Sequence, residues 1–539
     1  MSQDGHDRIP RPLWRPCPGG VQDVLTTTAS LTVKAFLTAV CYIICLSGHI
    51  LSPARHSIAT TLSQIKIRHR MNNSEQSHGG SPAGGKPASA TDWRQHTSWQ
   101  RIWSISWPVF LANITFPLVG AADTAMMGRL DDPSFVGGAA LGSLVFNFIY
   151  FGFGFLRMAT TGLVAQAHGR DDTTAIEHHL VRGLFVAFLL GCTIIALMPV
   201  VHLAAGTLLT ASDAVESLMK AYIDIRLFAV PAALCNAVLL GCLFGRQQMR
   251  LVMLQITLVN VSNLVLNVTF VLGLGMQIEG VALASVAAQW IGLAFTLTLI
   301  RWQWRDILAG VMRRSLHWRP GWFDRDAFTR FFHTGSDLVI RTFLLLASEA
   351  VLLNSAASLG DLTLASAQLY LVMFGLIAFG LDGYAHAAEA LVGEAIGRQN
   401  RPMLDRVVWR TNVLAGLSAV AIAAVVWLGG PVFVAMMTTQ PDLAAMTLQH
   451  WHWLVLLAPA SFLAFQMDGI FVGAMCSRDM RNAMILSAAG YVVLVLMLRD
   501  FGLDGILAAF TLYLGVRGLT LQWRMHHVRR RAGTAETGN

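Results

Sequence analysis

The chain has 539 residues, of which 54% are hydrophobic and only 13% are charged, and its mean hydropathy is +0.54. These values exclude an ordinary soluble globular protein and predict a membrane protein. The net charge of +8 does not indicate nucleic-acid binding, because the basic residues are spread among the connections between apolar segments.

Residues 1–100 are predicted to be an N-terminal extension that is largely disordered, since 72–100 are rich in Ser, Gly, Asn and Gln. The isolated apolar stretch 35–51 is too short for a confident membrane span and lacks the features of a secretory signal. Met71 directly precedes the polar stretch 72–100. Our hypothesis is that residues 1–70 are dispensable or reflect a mis-assigned start.

The rest of the chain is a series of apolar segments, each long enough to cross about 30 Å of hydrocarbon as a helix. We therefore predict an all-α, polytopic membrane protein with twelve transmembrane helices. The expected segments are 107–128, 136–159, 181–203, 218–243, 250–273, 278–300, 335–356, 363–391, 408–430, 446–474, 480–498 and 503–523.

The first segment carries one carboxylate, Asp123, in its interior. A charged aspartate inside a membrane costs about 3 kcal/mol, so Asp123 is expected to face a polar cavity or to be protonated, as at a site for a coupling ion. The alternative is a residue near the helix end that reaches water, since Gly128 and Arg129 follow soon after. Pro117 is predicted to kink this helix, and protonation of Asp123 would then bend it and narrow the cavity.

The fifth segment carries three amides, Asn260, Asn263 and Asn267, at positions i, i+3 and i+7. This spacing places them on one stripe of a helix that is otherwise apolar, and such a stripe is expected to face the bundle interior. Two interpretations stay open: direct contact with ion or substrate, and hydrogen bonds that only hold helices together.

A second polar site is suggested by Asp382, His386 and Glu389, at i, i+4 and i+7 of the eighth segment, together with Asp468 in the tenth. It could hold a second titrating group, with His386 able to change charge near neutral pH. The competing interpretation is a structural network of ion pairs with Arg341 or Arg226.

Three arginines within the apolar segments are interpreted as gate or anchor residues. Arg157 and Arg341 are expected near cytoplasmic helix ends, where they would hold an intracellular gate. Arg226 lies deeper in its segment and needs a partner, such as Asp224 or a carboxylate across the cleft.

Arginines concentrate in the even-numbered connections and in the tail, which by the positive-inside rule places both ends of the twelve-helix core in the cytoplasm. The cytoplasmic connection 301–334 combines arginines with Trp302, Trp304, Trp318 and Trp322, and is predicted to lie at the membrane surface. Residues 525–539 form a basic cytoplasmic tail.

The chain repeats itself. GLVAQAHGR at 162–170 matches ALVGEAIGR at 390–398, and 230–245 match 458–473, both at an offset of 228. Each half contains six predicted helices, an even number, so the two halves enter the membrane from the same side, as a parallel repeat. We predict an N-lobe at 101–300 and a C-lobe at 335–524, with a cleft between them suited to alternating access.

The sequence contains no HExxH, no CxxC, no phosphate loop and no GxSxG with a downstream Asp/His pair, and its seven cysteines show no paired spacing. We therefore expect no enzyme, no metal site and no organic cofactor, and a membrane-embedded enzyme is a remote alternative.

Several motifs resemble the multidrug and toxic compound extrusion (MATE) family, and its DinF branch in particular. They include PLVGAADTAMMGRL at 117–130, GFLRMATTGLVAQAHGR at 154–170, NLVLNVTFVLGLGMQIEGVALAS at 263–285 and LDGYAHAAEALVGEAIGR at 381–398. The resemblance implies two six-helix lobes that rock between inward-open and outward-open states. It also implies multidrug efflux, in which drugs or toxic compounds, often cationic, are exported by antiport with H⁺ or Na⁺.

In this family the first-helix aspartate, here Asp123, is thought to take the coupling ion, and Asn263 matches a polar cavity residue. Where the family frequently has another aspartate, this chain has Asn267, which favours H⁺ over Na⁺. The expected partners are small-molecule drugs or toxins and the lipid bilayer, with the protein a monomer in the cell inner membrane. A flippase for lipid-linked precursors, from the same superfamily, is the alternative function.

Overall fold

The computed structural model describes residues 93–127, 132, 134–209, 211–304 and 325–533, without the side chains of 114, 116–127, 208, 303 and 327. The expectations for 1–92, for most of the connection (305–324) and for 534–539 fall outside the described residues and stay predictions.

The first half of the described chain consists of ten α-helices. Their order follows the expected segments, with breaks inside the second, third and fourth segments and a π-helical turn, Val268–Gly273, at the end of the fifth. The helices are α1 (Trp93–His96), α2 (Trp99–Met127), α3 (Ser134–Phe153), α4 (Phe155–Gly169), α5 (Thr173–Ala196), α6 (Met198–Leu208), α7 (Asp213–Arg226), α8 (Val230–Gly245), α9 (Met249–Asn267) and α10 (Ile278–Gln303).

The second half begins at Arg325 and consists of eight described helices. They are α11 (Arg325–Ala357), α12 (Asp361–Gly397), α13 (Arg401–Met437), α14 (Pro441–Gln449), α15 (Trp451–Gly473), α16 (Ser477–Leu498), α17 (Gly502–Trp523) and α18 (Met525–Ala532). The expected segments all fall on these two sets of helices. Among the residues described, eight spans are long and apolar enough to cross a membrane. Helices α11 and α17 are not among these eight. Each contains a buried arginine in its interior, Arg341 in α11 and Arg517 in α17, which lowers the mean hydropathy of the helix.

The turns that end α4 and α12 have the same structure, 228 residues apart. Asp171 and Gln399 adopt left-handed conformations, with φ of 54° and 52°, which non-glycine residues rarely do. The next residue in each turn, Asp172 or Asn400, accepts a hydrogen bond of 2.9 Å from the backbone N–H three positions on and so caps the following helix.

The turns after α8 and α15 repeat this geometry, with Gln247 at φ 57° and Met475 at φ 54°, again 228 residues apart. Each of the four turns closes on a backbone hydrogen bond of 2.9–3.0 Å to the last turn of its helix, a Schellman-type end. The repeat seen in the sequence is therefore also a repeat of backbone structure, and the fold is the predicted parallel duplication.

Most of the buried apolar residues in the described part of the chain fall into two clusters. The larger contains residues from both halves, including Leu156 and Val164 of α4 together with Leu391 of α12 and Ile470 of α15. The smaller draws only on the second half. The halves thus share a core where α4, α8, α12 and α15 end, and we call this region the packed end. The distribution of arginine predicts that it faces the cytoplasm.

Candidate functional site

The amide stripe of α9 faces the interior of the bundle, as its spacing predicts. Asn260, Asn263 and Asn267 are 8%, 6% and 0% exposed. Asn263 donates a hydrogen bond of 3.1 Å to Ser285 of α10, and Asn267 donates one of 3.1 Å to Asn263. Asn260 donates to the hydroxyl of Thr115, which ties α9 to α2.

The same helix α2 carries Asp123, about two turns beyond Thr115. The side chains of Asp123 and Pro117 lie outside the described residues, so the coupling role and the kink stay predictions. The helix itself is continuous from Trp99 to Met127, across Pro117.

A cavity of about 210 Å³ lies beside the amide stripe, lined by Tyr150, Phe153, Asn236, Gln255, Asn260 and Gln289 among others. Asn236 donates hydrogen bonds of 2.9 and 3.0 Å to the backbone and side-chain oxygens of Gln289, and Gln255 donates one of 3.2 Å to Asn236. The sequence analysis missed this network, although amides inside apolar segments were a signal for it. Aromatic rings and fixed amides in one cavity suit a ligand that is partly flat and apolar and partly polar.

In the second half, Asp468 accepts hydrogen bonds from two arginines, Arg341 of α11 and Arg517 of α17. All three side chains are buried. Arg341 lies in the middle of α11 rather than near its end, and its described ion pair stays within the second half. Its interpretation as a residue that holds an intracellular gate stays a prediction. Arg517 was missed, although an arginine in the interior of an apolar segment signals a buried partner.

Arg157 does join the two halves. It donates a hydrogen bond of 3.3 Å to Glu389 of α12, whose same oxygen lies 3.2 Å from Nδ1 of His386. Phe244 of α8 packs on both partners, with its ring 5.4 Å from the Arg157 guanidinium and 4.7 Å from the His386 ring. Arg157 is the third residue of α4, which continues to Gly169, and its interpretation as a residue that holds an intracellular gate stays a prediction.

This contact makes a prediction for paired substitutions. Arg157→Gln leaves the carboxylate of Glu389, which is 2% exposed, with His386 as its remaining described partner, so we expect a lower thermal stability in detergent. In a double-mutant cycle with Glu389→Gln, the coupling should be about 1–3 kcal/mol. Strictly additive effects of the two changes would contradict a direct interaction between the halves.

Asp382 differs from Glu389 and Asp468, the other two acids of the polar site predicted in the second half. It lies within electrostatic range of His386, Arg157, Asp468 and Arg341, but the described residues give it no hydrogen bond or ion pair. The nearby carboxylates Glu389 and Asp468 are each bound by arginine. Asp382 is thus the acid of this group whose proton can be gained or lost without breaking a direct contact.

Asp224, one of the two partners suggested for Arg226, is not among its described contacts. Its guanidinium donates to Tyr222 and, at 3.1 Å, to Ser143, and it lies 5.0 Å from the ring centre of Phe146. Asp224 instead pairs with His202 at 2.6 Å. The physical reason is that residues two apart on a helix point in different directions, whereas Tyr222, four residues before Arg226, shares its face.

At the packed end, the two copies of the repeated motif lie against each other. A Cβ atom on Gly169 would be 2.3 Å from the carbonyl oxygen of Glu394, and one on Gly397 would be 2.1 Å from that of Gln166. Gly169 and Gly397 are equivalent in the repeat, and so are Gln166 and Glu394. The contact between the halves is therefore symmetric, and it requires glycine on both sides.

Glu394 adds a polar contact to this interface. It is 1% exposed, and its two oxygens accept a hydrogen bond of 2.6 Å from Gln247 of the first half and one of 2.9 Å from Arg398. Contact between the halves extends toward the middle of the helices, where Asn113 of α2 donates a 3.2 Å hydrogen bond to the carbonyl of Phe379. The polar clusters thus lie in a bundle whose halves are closed together at the packed end.

A duplicated bundle of apolar helices, with charged and amide residues inside and an interface between its halves, defines the class of multi-pass membrane transporters. Comparison with known proteins gives the family. The model of the MatE family matches residues 108–269 and 338–499, once in each half. The chain therefore belongs to the MatE family of multidrug efflux transporters, which agrees with the expectation that it is not an enzyme.

Individual relatives agree with this assignment. The chain is 34% identical over 430 residues to DNA damage-inducible protein F of Escherichia coli (strain K12), covering 79% of this chain and 92% of that protein. It is 27% identical over 464 residues to a probable multidrug resistance protein NorM of Rhizobium meliloti (strain 1021), covering 80% and 96%. A solved outward-facing conformation of a multidrug resistance MATE family transporter shares the fold, with a TM-score of 0.73 at 18% identity over 84% of this chain and 100% of that one.

Proposed function

We propose that the protein exports drugs or other toxic organic compounds, often cationic, by antiport with H⁺, through alternating access between its two halves. The observation that carries this proposal is the closed and symmetric contact of Gly169 and Gly397 beside buried acids. In a transport cycle the halves would part at this end to admit substrate and close again to release it on the other side.

Two acids are proposed as proton carriers, Asp123 in the first half and Asp382 in the second. The described neighbours of the amide stripe are amides and hydroxyls, which hydrogen-bond to either form of a carboxyl group. Na⁺ binding would be favoured by a second carboxylate where Asn267 stands. This difference supports H⁺ as the coupling ion.

The oligomeric state, the membrane and the orientation in it are part of the same proposal. The protein would act as a monomer in the inner membrane, with both ends of its helical core in the cytoplasm, as the arginine distribution suggests. A flippase for lipid-linked precursors is the second candidate. It is less well supported, because Arg341 and Arg157 are bound to carboxylates and are not available to a phosphate in a central cavity.

The experiment is uptake of a dye substrate into inverted membrane vesicles, driven by an imposed pH gradient without sodium. We expect uptake by the unchanged protein and a loss of at least about tenfold in Asp123→Asn, because the amide cannot carry a proton. Asp132→Asn is the matched control, since Asp132 is exposed and caps α3 through Ser134.

Equal uptake by the unchanged protein and Asp123→Asn would show that Asp123 does not carry the coupling proton, and would leave Asp382 as the proposed carrier. Uptake that requires a sodium gradient would contradict proton coupling. If neither a pH gradient nor a sodium gradient drives uptake of the dye or of other drugs, the alternative function, a flippase for lipid-linked precursors, would be favoured.

A further inference from the structure

The packed end contains a second, larger cavity, whose lining shares no residue with the amide stripe or with the Asp468 cluster. Its volume is about 610 Å³, and both halves contribute to its wall. The first half supplies Arg170 and Arg182, and the second half supplies Arg330, Arg478 and Arg531. A cavity lined by five arginines favours an anionic ligand.

The two acids in its wall do not balance these arginines, because each is already bound to other groups. Asp337 accepts hydrogen bonds of 2.6 Å from Arg481 and 2.9 Å from Ser477. Asp479 accepts hydrogen bonds from Arg524 and His527, at 2.9 and 3.0 Å. Neither Arg481 nor Arg524 lines the cavity, so the acids are neutralised from outside it.

Most of the lining arginines lack an acidic partner. Over the described ranges, Arg170, Arg330 and Arg478 make no side-chain hydrogen bond and no ion pair. Arg531 of α18 donates hydrogen bonds of 2.9 and 3.0 Å to the carbonyls of Ala474 and Met475, which leaves its charge uncompensated. Four positive charges, from four separate parts of the chain and from both halves, thus surround one space.

We propose that this cavity binds a phosphate-bearing anion, and that the bound anion holds the two halves together at the packed end. Guanidinium groups bind phosphate oxygens through paired N–H donors, and the cavity has room for more than one phosphate group. The ligand is either the headgroup of an anionic phospholipid or a free polyphosphate.

The effect on the halves follows from where the arginines lie. Arg170 belongs to the first half, and Arg330, Arg478 and Arg531 belong to the second, so an anion between them is bound fully only when the halves are together. A ligand that binds one state better shifts the protein toward that state. This second step rests on the proposed transport cycle, whereas binding of the anion does not.

The test uses the purified full-length protein and two sources of phosphate. Inorganic tripolyphosphate is titrated into protein in lipid-free detergent and followed by calorimetry. Cardiolipin binding is measured by native mass spectrometry after reconstitution into phosphatidylcholine nanodiscs that contain it. The variant is Arg170→Gln with Arg478→Gln, both exposed side chains whose loss leaves no partner unpaired.

The matched control is Arg250→Gln with Arg301→Gln, two exposed arginines at helix ends that do not line the cavity. We expect at least about tenfold weaker anion binding in the cavity variant and unchanged binding in the control. Binding of cardiolipin alone identifies a lipid headgroup as the ligand, and binding of tripolyphosphate identifies a free anion.

Binding of neither probe, or equal weakening in both double variants, would overturn the site. The holding role is tested by pulsed EPR between spin labels at Thr174 and Arg401, exposed positions at the starts of α5 and α13. A larger share of short distances with the anion supports this role, and an unchanged distribution overturns it. Failure of drug uptake in vesicles would contradict the transport proposal but would leave these binding results unaffected.

Discussion

Gly397→Val should abolish transport by preventing the closed contact at the packed end. Even the first side-chain carbon at this position would lie 2.1 Å from the Gln166 carbonyl oxygen and 3.0 Å from the Cα of Gly169. Because these are backbone atoms, no side-chain rotation relieves the overlap, and α4 and α12 must move apart. Overpacking of this kind costs about 3 kcal/mol or more, which favours separated halves by roughly a hundredfold.

The measurement is the distance between spin labels at Thr174 and Arg401, in a background whose seven cysteines are replaced, together with dye uptake. We expect Gly397→Val to add a population with longer distances and to lose uptake. The control is Gly375→Val in the same helix, where a Cβ would meet no atom within 4 Å. An unchanged distance distribution in Gly397→Val would show that the glycine contact does not hold the halves.

Gly169→Val should have the same effect, because the repeat places it in the equivalent position against Glu394. This symmetry was partly visible in the sequence, where the motifs at 162–170 and 390–398 align without gaps. The sequence could not show that the two copies touch each other. That depends on how the halves dock, which no local pattern determines.

The twelve membrane segments could be predicted, because each helix must satisfy its own backbone hydrogen bonds in lipid and so needs a long apolar run. Helix ends were harder to predict. The segment expected at 136–159 continues as helix to Gly169, since the residues beyond 159 pack between the halves rather than against lipid. Arg157 therefore lies well before the end of α4 at Gly169.

Ion pairs were the least predictable part of the site. Asp468 and Arg341 are 127 residues apart, and Asp468 and Arg517 are 49 apart, so their contacts arise only when α11, α15 and α17 pack together. A charged residue within an apolar segment shows that a partner must exist, but not which residue it is. For Arg226 the nearer of the two suggested partners, Asp224, is excluded by helix geometry, which points its side chain in another direction.

The Asp468 cluster leads to a second large effect, this time on stability. Asp468→Leu removes the carboxylate between Arg341 and Arg517, which are 8% and 2% exposed, and leaves two buried guanidinium groups without that partner. Breaking a buried ion pair from one side costs about 3–5 kcal/mol, so we expect a large fall in the thermal unfolding temperature in detergent. Asp382→Asn is the matched control, since no described partner loses a hydrogen bond.

The triple variant Asp468→Leu, Arg341→Met, Arg517→Met should recover most of the lost stability, because apolar side chains of similar size replace the whole cluster. Its transport activity then separates the two interpretations of these charges. A stable triple variant that still takes up dye would assign the cluster to structure alone. A stable but inactive one would mean that the charge on Asp468 and its arginines takes part in coupling, through their electrostatic interaction with Asp382. No recovery of stability would contradict the ion-pair explanation itself.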